Sequence, residues 1–190
     1  MTKRRSVIVH IAASADGFIA RSDGDLEWLT SRPAPAGFYG MEAFTKSIDT
    51  RVLGRKTYEA SLRLGAKFDS TSRTIVFSRH APPADTPAGV EFVNGPIGPF
   101  VRRLRELPGK DIWLMGGGDL IGSFLDEEAI DEFVLSVVPV FIGDGIPLLG
   151  RRPRQVQLEL TSSERFADGL VQLHYRLGPN SLRGSGAPAV

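Results

Sequence analysis

Residues 111–125 read Asp-Ile-Trp-Leu-Met-Gly-Gly-Gly-Asp-Leu-Ile-Gly-Ser-Phe-Leu, and this stretch decides the fold. The apolar residues before the glycines predict a buried strand, and the apolar residues after them recur at helical spacing. Such a strand–turn–helix unit is typical of a sheet whose strands alternate with helices. Glycines at the turn let a chain approach a phosphate closely, and the helix start offers free N–H groups. A tight turn with no ligand explains three glycines about equally well.

The rest of the chain extends this pattern of alternating elements. Before residue 111 the patterns predict strands at 6–13, 50–54, 74–78 and 90–93, and helices at 38–48, 57–64 and 96–107. After the helix that follows the glycines they predict a long strand at 132–142 and a hairpin of strands 156–160 and 171–177. The expected fold class is therefore α/β, with a mostly parallel central sheet and antiparallel edge strands at the C-terminal end. We expect one domain over residues 1–178 and a loose tail, rich in Gly, Pro and Ser, over 179–190.

Composition narrows the class of protein. The chain has 190 residues, a formal net charge of +1 and no cysteine. The low net charge argues against a nucleic-acid or anionic-membrane partner, and the absence of cysteine excludes disulfides and thiolate metal sites. The three histidines lack the spacing of metal ligands, so no metal site is expected. No apolar run approaches the ~20 residues that a membrane span needs, which predicts a soluble, cytoplasmic protein.

Two further turns follow predicted strands and carry positive charge. Gly54-Arg55-Lys56-Thr57 places two cations and a hydroxyl at a helix start, which is typical of an anion site. The alternative is a pair of solvated basic residues with Thr57 as a helix cap. Ser78-Arg79 also follows a strand, although a lone surface arginine is the simpler interpretation. Because ligands bind at the strand ends of open α/β sheets, the three turns together favour a dinucleotide with several phosphates.

These motifs resemble a known superfamily. The segments 54–59, 77–79 and 113–121 look like those of the dihydrofolate-reductase superfamily, in the same order. Segments 14–20, 25–29 and 138–147 are similar to its bacterial branch, which includes the reductase domain of the bifunctional riboflavin-biosynthesis deaminase-reductase. The likeness runs from about Val7 to Leu177. It implies a dihydrofolate-reductase-like three-layer fold, NADPH as cofactor and a homodimer.

The resemblance also implies roles for individual residues. Thr57 would meet the pyrophosphate, Ser78 and Arg79 the adenosine 2′-phosphate, and Ala13 the nicotinamide. Asp16, our candidate catalytic residue, would lie near the substrate that accepts the hydride. The full set expected to bind the cofactor is Ala13, Gly54, Arg55, Lys56, Thr57, Ser78, Arg79, Gly116, Gly117, Gly118, Asp119 and Leu120.

The substrate is less sharply indicated. Met115 stands where the riboflavin reductases usually carry a glutamate, and the stretch beginning at Gly37 has Glu42 as its only acid, further along than in folate reductases. We expect an NADPH-dependent reductase of a small heterocycle, of the 5-amino-6-(5-phosphoribosylamino)uracil type or the pteridine and dihydrofolate type. The alternatives are an NADP-binding regulatory module without turnover and a structural protein. His10, within the first strand, is interpreted as a core histidine rather than a base.

Overall fold

The structure is a computed structural model that describes residues 4–33, 35–68, 72–150 and 155–178. Its strands are β1 (Val7–Ser14), β2 (Phe18–Ala20), β3 (Ile48–Gly54), β4 (Arg73–Phe77), β5 (Val90–Val93), β6 (Asp111–Gly116), β7 (Glu132–Val138), β8 (Ile146–Pro147), β9 (Glu159–Arg165) and β10 (Val171–Arg176). Its helices are α1 (Glu27–Thr30), α2 (Met41–Ser47), α3 (Arg55–Arg63), α4 (Ile97–Glu106) and α5 (Gly118–Asp126).

Eight of the strands form one sheet in the order β5-β4-β3-β6-β1-β7-β10-β9. The first six of these run parallel, whereas β10 pairs antiparallel with β7 and β9 antiparallel with β10. The nearly continuous apolar run of β1 fits its place near the middle of the sheet, with Val7 and Val9 fully buried. The predicted α/β class, with antiparallel strands at the C-terminal edge, is confirmed.

Helices cover both faces of this sheet, which gives three layers. On one face the apolar sides of α4 and α5 pack against strand residues such as Val9, Val52 and Leu114. On the other face Tyr58 of α3 covers Leu53 and Val76. Further along that second face, Trp28 of α1 packs against Val138 and Leu170, so Trp28 belongs to a core cluster.

Three predicted elements differ from the structure by three residues or more, for identifiable reasons. The helix predicted at 38–48 begins only at Met41, because Phe38 and Tyr39 have φ values of 50° and 55°, in the left-handed region. The strand predicted at 132–142 ends at Val138, immediately before a proline that has no N–H to donate.

The edge strand is the third difference. The alternation of residues 156–160 predicted a strand there, but β9 covers Glu159–Arg165 and all seven of its residues are exposed. A strand without a buried face has no apolar alternation, so its position could not be predicted from pattern.

The predicted 1–178 domain boundary stays a prediction, and the predicted tail lies outside the described residues. Within the described residues, no helix is long and apolar enough to cross a bilayer.

His10 lies buried in β1, with its ring stacked on Phe44 of α2 at 4.7 Å between centroids. Burial, with a smaller contribution from His174, lowers the pKa of His10 to about 4 from an ordinary 6.5. Between these values the unfolded chain binds a proton that the folded chain does not. The contribution of His10 to the unfolding free energy is therefore fully present above about pH 6.5 and is lost as the pH falls toward 4.

We expect the His10 term to remove about 2 kcal/mol of unfolding free energy between pH 7 and pH 5. Urea unfolding of the wild type and of His10→Gln, each measured at both pH values, isolates this term because the variant has no titrating group at this position. An equal pH dependence in the two proteins would contradict the assignment.

Candidate functional site

The predicted site residues follow four neighbouring strands. Ser78 comes directly after β4, Arg55 after β3, Gly117 after β6 and Asp16 just beyond β1. These strands are consecutive in the sheet and parallel, so their carboxyl ends share one edge. The structure thus places Asp16 and the three turns that were predicted to bind phosphate at one edge, after strands in the spatial order β4, β3, β6 and β1.

Two helix starts meet at the middle of this edge. α3 begins after Gly54 and α5 after Gly117, and neither N-terminus has a side-chain cap. A Cβ on Gly54 would lie 3.8 Å from the Gly116 carbonyl oxygen, so the two turns are in contact. The N–H groups of both first turns therefore point their positive ends toward neighbouring positions, which suits an anion with two phosphates.

The glycine turn is shaped by close approaches. Gly116 has a φ of 110°, which favours glycine, and the Gly116–Gly117 peptide is cis. Gly117 itself is extended, and a Cβ there would lie 3.2 Å from Thr57 Oγ1. A Cβ on Gly118 would lie 2.6 Å from the Pro147 carbonyl oxygen. Gly117 therefore keeps open the space beside Thr57. At Gly118 a side chain is excluded because the backbone of Pro147 passes too close.

The charged groups at this edge differ in their surroundings. The Lys56 and Arg79 side chains are exposed, and neither forms a hydrogen bond or ion pair with another described residue. Arg55, by contrast, donates from Nε to Glu59 and from Nη1 to the Ala81 carbonyl. Ser78 Oγ accepts from the His80 N–H at 3.0 Å, which shapes the turn that carries Arg79.

The remaining predicted cofactor residues also lie at this edge. Ala13 is buried in β1, two per cent exposed. Asp119 is exposed in the first turn of α5, and Leu120 packs partly against the core. Met115 packs toward the cluster beneath α3. Within the described part of the chain, no group of three or more histidines and carboxylates is arranged to hold a metal ion.

Asp16 is held by its own chain. Its Oδ1 accepts from Ser14 Oγ at 2.5 Å, and its Oδ2 accepts from the N–H groups of Ile142 and Gly143 at 3.0 and 2.8 Å. The Ser14 hydrogen bond, assisted by these N–H groups, lowers the pKa of Asp16 below its ordinary value. The side chain remains partly exposed, so it presents an ionised carboxylate at the edge beside β1.

The loop that Asp16 holds was missing from the set of predicted site residues. Residues 139–145 connect β7 to β8, and the Ala15 N–H also donates to the Val140 carbonyl at 2.9 Å. Gly145 approaches the Ala20 carbonyl so closely that no Cβ fits. The sequence signal was the 138–147 segment, but its contact with Asp16 spans 126 positions and depends on the pairing of β1 with β7.

A second polar cluster was also missed. Asp168 Oδ2 accepts from Tyr39 Oη and from Arg32 Nη2, each at 2.7 Å. The Tyr39 hydroxyl and then the Arg32 guanidinium lower the pKa of Asp168 to about 2. These bonds join the segment before α2 to the turn between β9 and β10. They hold Arg32 and Tyr39 against the β9–β10 turn, near α1.

Comparisons with known proteins fit this geometry. Residues 5–172 match the family model of the RibD C-terminal domain. The chain belongs to the RibD C-terminal domain family. Among its relatives, the uncharacterized protein YwjB of Bacillus subtilis strain 168 is 36% identical over 171 residues, covering 90% of this chain and 97% of YwjB.

Solved structures extend the comparison. A Shewanella sp. PV-4 protein provisionally assigned to riboflavin biosynthesis superposes with a TM-score of 0.82 at 30% identity, over 92% of this chain and 99% of that one. Enterococcus faecalis dihydrofolate reductase, in complex with NADP(H), superposes with a TM-score of 0.67 at 16% identity, over 94% of this chain and all of that one. The fold is therefore dihydrofolate-reductase-like.

The glycine turn gives a test of its own structural demands. We expect Gly118→Ala to lower the unfolding free energy by about 1–3 kcal/mol, since the new methyl group meets two backbone carbonyl oxygens, of Pro147 and Leu148, at 2.6 and 2.9 Å. Urea unfolding measures this loss. Gly117→Ala is the control, because its backbone is extended and its methyl group meets one side-chain oxygen. Equal unfolding free energies of the two variants would contradict the different steric demands assigned to Gly117 and Gly118.

Proposed function

We propose that the protein is an NADPH-dependent reductase that transfers hydride to a small heterocyclic substrate. The observation that carries the proposal is the meeting of two uncapped helix starts, those of α3 and α5, at one sheet edge with Lys56 and Arg79, exposed cations that bond to no other described residue. Helix N-termini and unpaired cations attract phosphates. The resemblance and the family support the same activity.

The residues at the two helix starts are sterically compatible with a bound dinucleotide. Gly54 and Gly117 leave the space between the two helix starts free of side chain, which a pyrophosphate needs. We propose that Thr57 and the first-turn N–H groups bind the pyrophosphate, with Lys56 beside them. Ser78 and Arg79, one strand further out, bind the 2′-phosphate. Gly116, Gly118, Asp119 and Leu120 complete the turn, and Ala13 lies at the nicotinamide end.

A bound nicotinamide would supply the hydride, and the chain's own groups would hold the acceptor. Asp16 is the proposed group at the reacting end. Because its pKa is lowered, the carboxylate is ionised at neutral pH and can accept N–H bonds from a heterocycle, but it does not donate a proton. We propose that it orients the substrate, and that the loop it holds keeps the carboxylate in place.

The proposed substrates are aminouracils of the 5-amino-6-(5-phosphoribosylamino)uracil type or pteridines. Both present ring N–H donors that a fixed carboxylate recognises. We also propose a cytoplasmic homodimer with neither a nucleic-acid nor a membrane partner. Among the described residues β9 is the last strand at its side of the sheet, and exposed Leu160 within it and Leu158 just before it support a contact with a second copy.

The deciding experiment is NADPH oxidation by the purified protein with a panel of aminouracils, pterins and dihydrofolate. Consumption of NADPH with one class establishes both activity and substrate. Tight NADPH binding with no turnover of any panel member would favour the regulatory module. The absence of NADPH binding would refute the proposed cofactor site.

The preference for NADPH over NADH tests the proposed role of Arg79. We expect Arg79→Ala to weaken NADPH binding roughly tenfold or more, because a charge-assisted bond to the 2′-phosphate is worth about 1.5–3 kcal/mol. NADH lacks that phosphate, so its affinity should hardly change. Calorimetric titration with both cofactors measures the difference. An equal loss for both would remove Arg79 from the 2′-phosphate position.

The charge of Asp16 can be separated from its role as an anchor. Asp16→Asn keeps an oxygen for the Ile142 and Gly143 N–H groups but removes the charge. We expect it to reduce turnover of the panel substrate by ~10²-fold and to leave NADPH affinity unchanged. Asp16→Ala, which also releases the loop, is the comparison. Wild-type turnover in Asp16→Asn with a loss confined to Asp16→Ala would mean that Asp16 only anchors the loop.

A further inference from the structure

Arg55 is the first residue of α3, and neighbours of its own chain engage its guanidinium on three sides. Nε donates to Glu59 Oε1 at 2.8 Å, and Nη1 donates to the Ala81 carbonyl oxygen at 2.9 Å. The guanidinium carbon lies 5.9 Å from the centre of the Phe92 ring. About 30% of the side chain is exposed. A planar group that donates two hydrogen bonds and lies over a ring is held in one orientation.

The Ala81 carbonyl belongs to the segment that carries Arg79. This segment, Ser78–Ala81, begins where the Ser78 N–H donates to the Val93 carbonyl at 2.9 Å. Its turn is closed by Ser78 Oγ and the His80 N–H. Beyond the turn, Arg55 is the side chain that ties the segment back to α3. Arg79 therefore lies between one anchor on β5 and another on α3.

The next residue along α3 differs. Lys56 is exposed and bonded to no other described residue, so its ammonium meets an anion without breaking an internal contact. To turn its bonded N–H groups toward a phosphate, Arg55 would have to give up its bonds to Glu59 and Ala81. The Ala81 carbonyl, and with it the segment, would then lose its bond to α3. Neighbouring cations on one helix start thus have different surroundings.

We propose that Arg55 is a positioning residue for cofactor selectivity: it does not contact phosphate but holds Ser78–Ala81 so that Ser78 and Arg79 face the 2′-phosphate. This rests on the proposed function and departs from the role that the resemblance implied for Arg55. Preorganising the segment lowers the ordering cost of binding the phosphorylated cofactor. NADH, which makes no contact with this segment, gains nothing from it.

The first test compares two substitutions at one position. Arg55→Gln removes the charge, whereas Arg55→Lys keeps a charge that cannot bridge Glu59 and Ala81 together. We expect both to weaken NADPH binding about as much as loss of Arg79 does, roughly tenfold, and to change NADH binding less than about twofold. Lys56→Gln, the matched control, should weaken both cofactors. Calorimetric titration of the wild type and the three variants with NADPH and with NADH gives these comparisons.

The second test is a double substitution. If Arg55 acts through the segment, Arg55→Gln weakens NADPH binding much less in the Arg79→Gln background than in the wild type, because only the Ser78 contact is left to disturb. If Arg55 contacts a phosphate itself, the two losses add. Wild-type NADPH affinity in Arg55→Lys, or additive losses in the double variant, would overturn the proposal.

The third test needs no cofactor. Amide hydrogen exchange of residues 79–81 in the free protein should be faster in Arg55→Gln and Arg55→Lys than in the wild type, and unchanged in Lys56→Gln. Unchanged exchange in the Arg55 variants would overturn the positioning role alone. Failure of the wild type to bind either dinucleotide would instead overturn the proposed function and, with it, this role.

Discussion

Parallel pairing of β4, β3, β6 and β1 is the constraint on which the candidate site depends. Residues that are far apart in the chain, from Asp16 to Gly118, share an edge only because these strands point the same way. The pairing is stabilised by apolar strand residues such as Val9, Val52, Ile75 and Leu114, all fully buried. Burial of these side chains against α4 and α5 specifies the register, since a shift by one residue would turn them to the opposite face of the sheet. The site is therefore a consequence of the core.

The sequence predicted those parts of the molecule that leave a periodic or chemical signal. The buried strands were found from apolar runs, and the turns at Gly54, Ser78 and Gly116 from glycines and polar residues directly after them. Their meeting at one edge followed from the rule that parallel strands end together. The start of α2 gave no such signal, because Phe38 and Tyr39 adopt left-handed backbone conformations that neither residue type favours. The polar β9 gave none either, because none of its residues is buried.

Which charges are paired within the chain was equally hidden. Arg55 and Lys56 are adjacent cations and look alike in sequence, but only Arg55 has Glu59 one helical turn away and Ala81 across the edge. The Glu59 contact is an i,i+4 pair that could have been predicted, whereas the Ala81 contact depends on the pairing of β3 with β4. Asp16 is similar. An Asp-Gly dipeptide such as Asp16-Gly17 favours a turn, but the N–H groups of Ile142 and Gly143 reach Asp16 through the pairing of β1 with β7.

These pairings divide the charges of the edge into two groups with different physical effects. Asp16 and Arg55 are bonded to loops, and each fixes a segment beside the position proposed for one end of the cofactor. Lys56 and Arg79 are exposed and unpaired within the described residues, so solvent rather than protein stabilises them in the free state. A cation that exchanges water for phosphate loses no internal bond, whereas a paired group would lose several. The arrangement thus separates groups that preorganise the edge from groups that we propose meet the ligand, and preorganisation lowers the entropy cost of binding.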